Sequence, residues 1–173
     1  MLGPQKVLSL PPNLGIISVS ERTWSHIEHR NYQGYDALVP FRDAVENRYM
    51  PYTHNWRAIY ALRHRLTVLN ENLDKIYQRH TKAATLCRNG IAKLGLKLYA
   101  KGVCSPTVTT VYLPESMSWK ELNENLRRLG VIVAGSYGPL ANRVFRIGHM
   151  GEQADCDRVQ VALDALQSVL KKS

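Results

Sequence analysis

The spacing of apolar residues changes several times along this chain, and each change marks an element. Val7, Leu8 and Leu10 make a short apolar run closed by Pro11-Pro12, and Gly15-Ile16-Ile17-Ser18-Val19 makes a second, β-branched one. Short runs bounded by breakers predict buried strands, so two N-terminal strands are expected. Ser20 then caps a helix over residues 20–29, with Trp24 and Ile27 on one face. Residues 31–51 keep no period, and Gly34, Pro40 and Pro51 predict loop with at most one turn of helix.

A long helical region follows. Trp56, Ile59, Leu62, Leu66 and Leu69 recur at three- and four-residue spacing. A second helix is expected over residues 73–94, with Ile76, Ala83, Leu86, Ile91 and Leu94 inward and Gly95 as its C-terminal stop. Asn70-Glu71-Asn72 makes the joint a turn or kink. The last third alternates. Residues 106–113 read as a strand, Ser118 and Glu121 as a capping box opening a helix to Gly130, 131–134 and 144–148 as strands, and 153–170 as a closing helix. The predicted class is α/β: two N-terminal strands, a long helical region, then a small β-α-β-β-α layer. The expected domain division is 1–52, 53–95 and 96–173.

Composition changes this picture little. A chain of 173 residues is long enough for a real core. No apolar run approaches the eighteen or so residues that cross a bilayer, so no membrane partner is expected. The first residues lack a basic region leading into an apolar stretch, and the ending Leu170-Lys171-Lys172-Ser173 is not a peroxisomal address. Cys87, Cys104 and Cys156 are odd in number and widely spaced, which fits reduced thiols. An intracellular protein is expected, cytoplasmic by default, with a peroxisome or mitochondrion left open.

The net charge of +9 admits three readings: a nucleic-acid partner, sites that prefer anions, or an ordinary solvated surface. Arg57, Arg63, His64, Arg65, Lys75, Arg79, His80 and Lys82 form a basic helical run that no aromatic stacking pattern accompanies, so no nucleic acid is expected there. His26 and His29 lie one helical turn apart, but no third ligand stands nearby, so no metal is expected.

Three separated segments carry the candidate chemistry. They are Gly3-Pro4-Gln5-Lys6 with Pro11-Pro12-Asn13-Leu14-Gly15 and Ser18-Val19-Ser20-Glu21-Arg22; Pro51-Tyr52-Thr53 leading into Ile59-Tyr60-Ala61-Leu62-Arg63; and Phe145-Arg146-Ile147-Gly148-His149-Met150-Gly151. In this order they resemble the class V aminotransferases of fold type I that use pyridoxal phosphate, the alanine–glyoxylate and serine–pyruvate branch most of all. The resemblance covers nearly the whole chain and corresponds to the C-terminal portion of that fold, from the Schiff-base lysine onward.

The resemblance implies four site residues. Lys6 becomes the catalytic lysine, because only a primary amine able to lose its proton attacks an aldehyde. Gln5 and Thr53 become cofactor-phosphate ligands, Thr53 toward a neighbouring subunit's site. Arg146 becomes the clamp on the substrate carboxylate, since a guanidinium fork matches a carboxylate in two-pronged geometry. Met50, with Tyr49 and Tyr52 beside it, stands where the family often has a tyrosine. Tyr137 stands where pyridoxamine-using relatives have a second arginine, which argues against free pyridoxamine as substrate.

The implied function is transfer of an amino group between a small amino acid (alanine- or serine-like) and a 2-oxo acid (glyoxylate- or pyruvate-like), in a homodimer or paired with a missing N-terminal half. The aspartate, the stacking aromatic and the phosphate loop that the family places before the lysine have no counterpart here, so the chain alone is expected to be inactive. The rival is a non-enzymatic basic α/β binding or interaction module.

Overall fold

The structure, a computed structural model, describes residues 1–171. The chain divides into two compact units: Met1–Gln5 with Leu10–Leu66, and Lys6–Ser9 with Thr67 onward. Each is described by itself.

The second unit builds its core from amphipathic helices laid on a small antiparallel sheet. Strand β1 (Val108–Tyr112) pairs with β2 (Val144–Gly148), with Val111 opposite Phe145 and Thr110 opposite Arg146. Helix α3 (Leu73–Lys93) packs on β1 and on α5 (Cys156–Leu170), and α4 (Trp119–Arg128) packs on α5. Ile91, Val111, Leu122, Leu126, Phe145 and Leu166 are fully buried at the centre. Gly90 permits the close approach of α3 to α5, for a Cβ there would lie 2.3 Å from a Leu163 methyl.

Local signals end these elements where expected. Gly95 (φ +76°) follows α3, its N–H donating to Ala92 O and the Leu96 N–H to Ile91 O, both at the spacing of a glycine-stopped helix. Gly130 (φ +77°) ends α4 the same way, with bonds to Arg127 O and from Val131 to Leu126 O. The Ser118–Glu121 capping box is present in both directions. Asp155 caps α5 by accepting from the Asp157 and Arg158 N–H groups.

Two details of the expected α/β arrangement differ. Residues 131–134 alternate as a strand does, with Val131 and Val133 buried and Ile132 exposed, yet only Ala134 pairs, against Arg146. On the opposite flank Leu98 bridges Val111, a strip that the Leu96-Lys97-Leu98 alternation signals and that goes unclaimed by the sequence reading. The two expected N-terminal strands are the second difference. Leu2 and Ile16 make one isolated antiparallel bridge, and Lys6–Ser9 folds as a turn. The cause is backbone geometry: Ser9 adopts φ 55°, which no strand residue uses, and Pro4, Pro11 and Pro12 have no N–H to give a ladder.

The first unit is built around α1 (Glu21–Arg30) and the first part of α2 (Trp56–Glu71). Ser20 caps α1 by accepting from the Thr23 N–H, as the pattern predicts. Arg42 binds Glu21 at 2.7 Å and Glu28 at 3.0 Å and lies over the Trp24 ring. A single 3-10 turn at Val39–Phe41 is the one turn of helix expected between residues 31 and 51. Asn72 (φ −136°) separates α2 from α3, the expected joint.

Candidate active site

Lys6 opens a four-residue turn in which the Ser9 N–H donates to Lys6 O at 3.0 Å. Its side chain is exposed. The turn is seated on Gly151, just beyond β2. Gly151 sits at φ +59°, and a Cβ there would lie 2.0 Å from Ser9 Oγ, 3.0 Å from Val7 O and 3.2 Å from Lys6 O. Only glycine fits such a backbone against such a neighbour. Ser9 Oγ in turn accepts from the Glu152 N–H at 2.9 Å.

Helix α3 holds Gly151 from the other side. His80, which the sequence pattern assigns to a solvated basic face, is buried at 3% exposure. Its Nδ1 donates to Ile76 O at 2.7 Å, because a carbonyl can only accept. That leaves Nε2 as an acceptor, and it receives the Gly151 N–H at 3.0 Å. Arg79 Nη2 donates to Gly151 O at 2.9 Å, and its Nη1 faces Glu152 at 3.5 Å. Two adjacent residues of one helix thus engage both polar groups of Gly151. A signal was available: His80 falls on the inward stripe Ile76, His80, Ala83, Cys87, Ile91.

Arg146 projects from β2 and is half-buried. Its backbone is fixed on both flanks, by Thr110 in the ladder and by two hydrogen bonds with Ala134 at 2.7 and 3.0 Å. Its Nε donates to Gly135 O at 2.8 Å, and its guanidinium carbon lies 5.2 Å from the centre of the Tyr137 ring. Among the described residues Nη1 and Nη2 make no hydrogen bond, which leaves the end of the fork presented for a two-pronged acceptor. Gly135 has to be small, since a Cβ there would meet the Trp119 indole at 2.9 Å. Arg146 lines a shallow cavity of about 460 Å³ with Ile132, Ala134, Gly148 and Gln153.

A buried polar chain supports the same strand. His149 is fully buried; its Nδ1 donates to Pro106 O at 3.2 Å and its Nε2 accepts from Thr109 Oγ1 at 2.8 Å. Burial holds the imidazole below its ordinary pKa, which keeps this neutral pattern intact. Burial likewise pushes the Cys87 thiol up. These groups are satisfied and enclosed, and are suited to holding the strand rather than to chemistry.

Gln5 and Thr53 belong to the first unit and both are exposed. Asn55, not Thr53, caps α2, accepting from the Ala58 N–H at 3.2 Å. Thr53 therefore makes no hydrogen bond among the described residues. Tyr52, its neighbour, donates its hydroxyl to Tyr35 O and packs against the Tyr35 and Phe41 rings.

No protein-family model matches the chain. An uncharacterized aminotransferase of Methanocaldococcus jannaschii is 36% identical over 155 residues, 86% of this chain and 40% of that protein. The alanine–glyoxylate aminotransferase of Oryctolagus cuniculus is 31% identical over 98% of this chain and 46% of its own length. The solved structure of pyridoxamine–pyruvate aminotransferase from Mesorhizobium loti superimposes with a TM-score of 0.91 at 30% identity, over 98% of this chain and 45% of that one. The chain is homologous to the C-terminal part of class V aminotransferases. It spans less than half the length of these relatives.

Those relatives are pyridoxal-phosphate-dependent enzymes. Lys6 presents an exposed primary amine, and the exposed Gln5 and Thr53 side chains make no hydrogen bond among the described residues. No described helix is long and apolar enough to cross a membrane.

Proposed function

We propose that this chain is the C-terminal part of an aminotransferase that moves an amino group between a small amino acid, alanine- or serine-like, and a 2-oxo acid such as glyoxylate or pyruvate. The observation that carries it is the match to pyridoxamine–pyruvate aminotransferase, which runs through 98% of this chain at a TM-score of 0.91. Residues 1–52 are the part of the cofactor domain that carries the lysine, 53–95 the helical connection and 96–173 the small domain. The working unit is a homodimer or a pairing with the other half of the fold.

Pyridoxal phosphate, when bound, supplies an aldehyde and an electron-withdrawing ring. Lys6 would hold it through its amine. When substrate takes that place, the freed amine would carry the proton to and from the substrate Cα, a task for which a neutral lysine within reach is the natural base. Gln5 and Thr53 would donate to the phosphate. Arg146 would take the carboxylate on Nη1 and Nη2 and so fix the Cα–H bond in direction. Tyr137 covers one face of that guanidinium. This favours a substrate that meets Arg146 through its planar edge.

Borohydride reduction in the presence of pyridoxal phosphate, followed by peptide mapping, tests the assignment. Lys6 should carry the label ahead of every other lysine. Label spread evenly over surface lysines would sink it. In a catalytically active preparation, Arg146→Lys should lower kcat/KM by about ten- to a hundredfold, since charge is kept but the fork is lost.

A further inference from the structure

The Lys6 turn has no strand partner to fix it; it rests on Gly151 and on the Glu152 N–H, which donates to Ser9 Oγ at 2.9 Å. A Cβ on Gly151 would lie 2.0 Å from Ser9 Oγ, 3.0 Å from Val7 O and 3.2 Å from Lys6 O, so the turn packs directly over this glycine. A shift of Gly151 toward the turn is therefore passed to it, because a close-packed interior leaves little room to give. What holds Gly151 is α3. The Gly151 N–H reaches His80 Nε2 at 3.0 Å, and the Gly151 C=O reaches Arg79 at 2.9 Å. His80 can play this part because its other nitrogen is committed to Ile76 O at 2.7 Å, which fixes the tautomer and aims the bare lone pair at the glycine.

We propose that His80, with Arg79, is a positioning residue for Lys6: α3 sets the place of the lysine by gripping Gly151. This rests on the assignment of Lys6 as the cofactor lysine. The required property is an acceptor at the far edge of a side chain of histidine's length. Glutamine offers one, since its amide oxygen reaches about as far as Nε2. Asparagine reaches only as far as Nδ1, so it can serve Ile76 O but not Gly151. Leucine fills the volume and accepts nothing. A histidine that merely fills space would rank these replacements by packing. A positioning histidine ranks them by whether they can accept from Gly151.

The experiment compares the full chain with His80→Gln, His80→Asn and His80→Leu. Two readouts are taken: the share of reduced pyridoxal phosphate label on Lys6, and the hydrogen-exchange rates of the Gly151 and Ser9 amides. Loss of the acceptor should cut the Lys6 preference and speed both amides by roughly tenfold in the Leu and Asn variants. His80→Gln should keep most of both. Ser9→Ala, which removes the acceptor for Glu152 from the turn itself, should loosen Ser9 without touching α3, and serves if His80→Leu fails to fold. Equal labelling and equal exchange in all variants would overturn the proposal, as would a Gln variant no better than Leu. If the wild-type chain shows no preference for Lys6, the cofactor assignment falls and the coupling is decided by exchange alone. A Ser9 amide that then ignores His80→Leu also overturns it.

Discussion

The two units of this chain bury their apolar residues very differently. In the second, Ile91, Val111, Leu122, Leu126, Phe145 and Leu166 are wholly enclosed. In the first, the buried apolar residues are Pro4 and the small Ala37, Ala44 and Ala58, while Tyr35 and Val45 stand 82% and 83% exposed and Trp56 64%. Helix α1 has no buried residue at all. Both units contain well-capped helices, so capping is not what separates them. The difference is the number of apolar faces that meet. Three helices and one small sheet share a single core in the second unit, and burial there accumulates at about 25 cal/mol per Å². The first offers amphipathic helices and exposed aromatic rings with little sheet to lie against. Stability should reside in the second unit, and the first should respond to mutation only locally.

The largest effect tests that contrast directly. Phe145→Ala should destabilise by about 3–5 kcal/mol in urea or thermal unfolding, whereas Val45→Ala should stay within about 0.5 kcal/mol. Comparable losses from both would erase the distinction between the units. Gly90→Ala comes next, at about 1–3 kcal/mol, because its Cβ would drive into Leu163 between α3 and α5. Leu163→Ala in the same chain should recover part of that loss, and a strictly additive double mutant would show that the two side chains do not meet.

Caps sharpen the comparison because their chemistry is the same in both units. Ser118→Ala removes the hydroxyl that accepts from the Glu121 N–H in the capping box of α4, whose Leu122 and Leu126 are core, and should cost about 0.5–2 kcal/mol of global stability. Ser20→Ala removes the equivalent cap from α1 and should leave the global midpoint nearly unmoved, fraying α1 alone. Matching shifts in the midpoint would mean that α1 is part of the cooperative core.

The smallest effect is on pH dependence. His149 has its pKa lowered by burial in the folded chain, so below the ordinary value near 6.5 the unfolded chain takes up a proton that the folded one declines. Its contribution is undiminished above that value and is lost as the pH falls from about 6.5 toward the depressed folded value. Denaturation midpoints measured down to about pH 5 should fall in the wild type and fall less steeply in His149→Gln. Parallel curves would remove His149 from the account.

The elements were legible where the cause is local. Helix caps, stopping glycines and three-four spacing act within one turn of chain, and Ser20, Ser118, Gly95 and Gly130 all sit where their patterns predict. The resemblance was legible for a related reason: the residues flanking Lys6, Thr53 and Arg146 stay together along the chain. The Lys6 turn was less legible. Val7, Leu8 and Leu10 satisfy the pattern of a buried strand, but a strand exists only through pairing, and Ser9 turns the backbone away at φ 55°. Residues 131–134 alternate correctly and still pair only at Ala134.

The sequence by itself determined which helices form, where they stop and which family the chain resembles, because those depend on neighbours a few residues away. Tertiary structure alone decided that Lys6 opens a turn, that the turn stands on Gly151, and that His80 leaves a presumed solvated face to hold that glycine. A histidine's role depends on what meets its second nitrogen, and here that partner, the Gly151 N–H, lies 71 residues away along the chain.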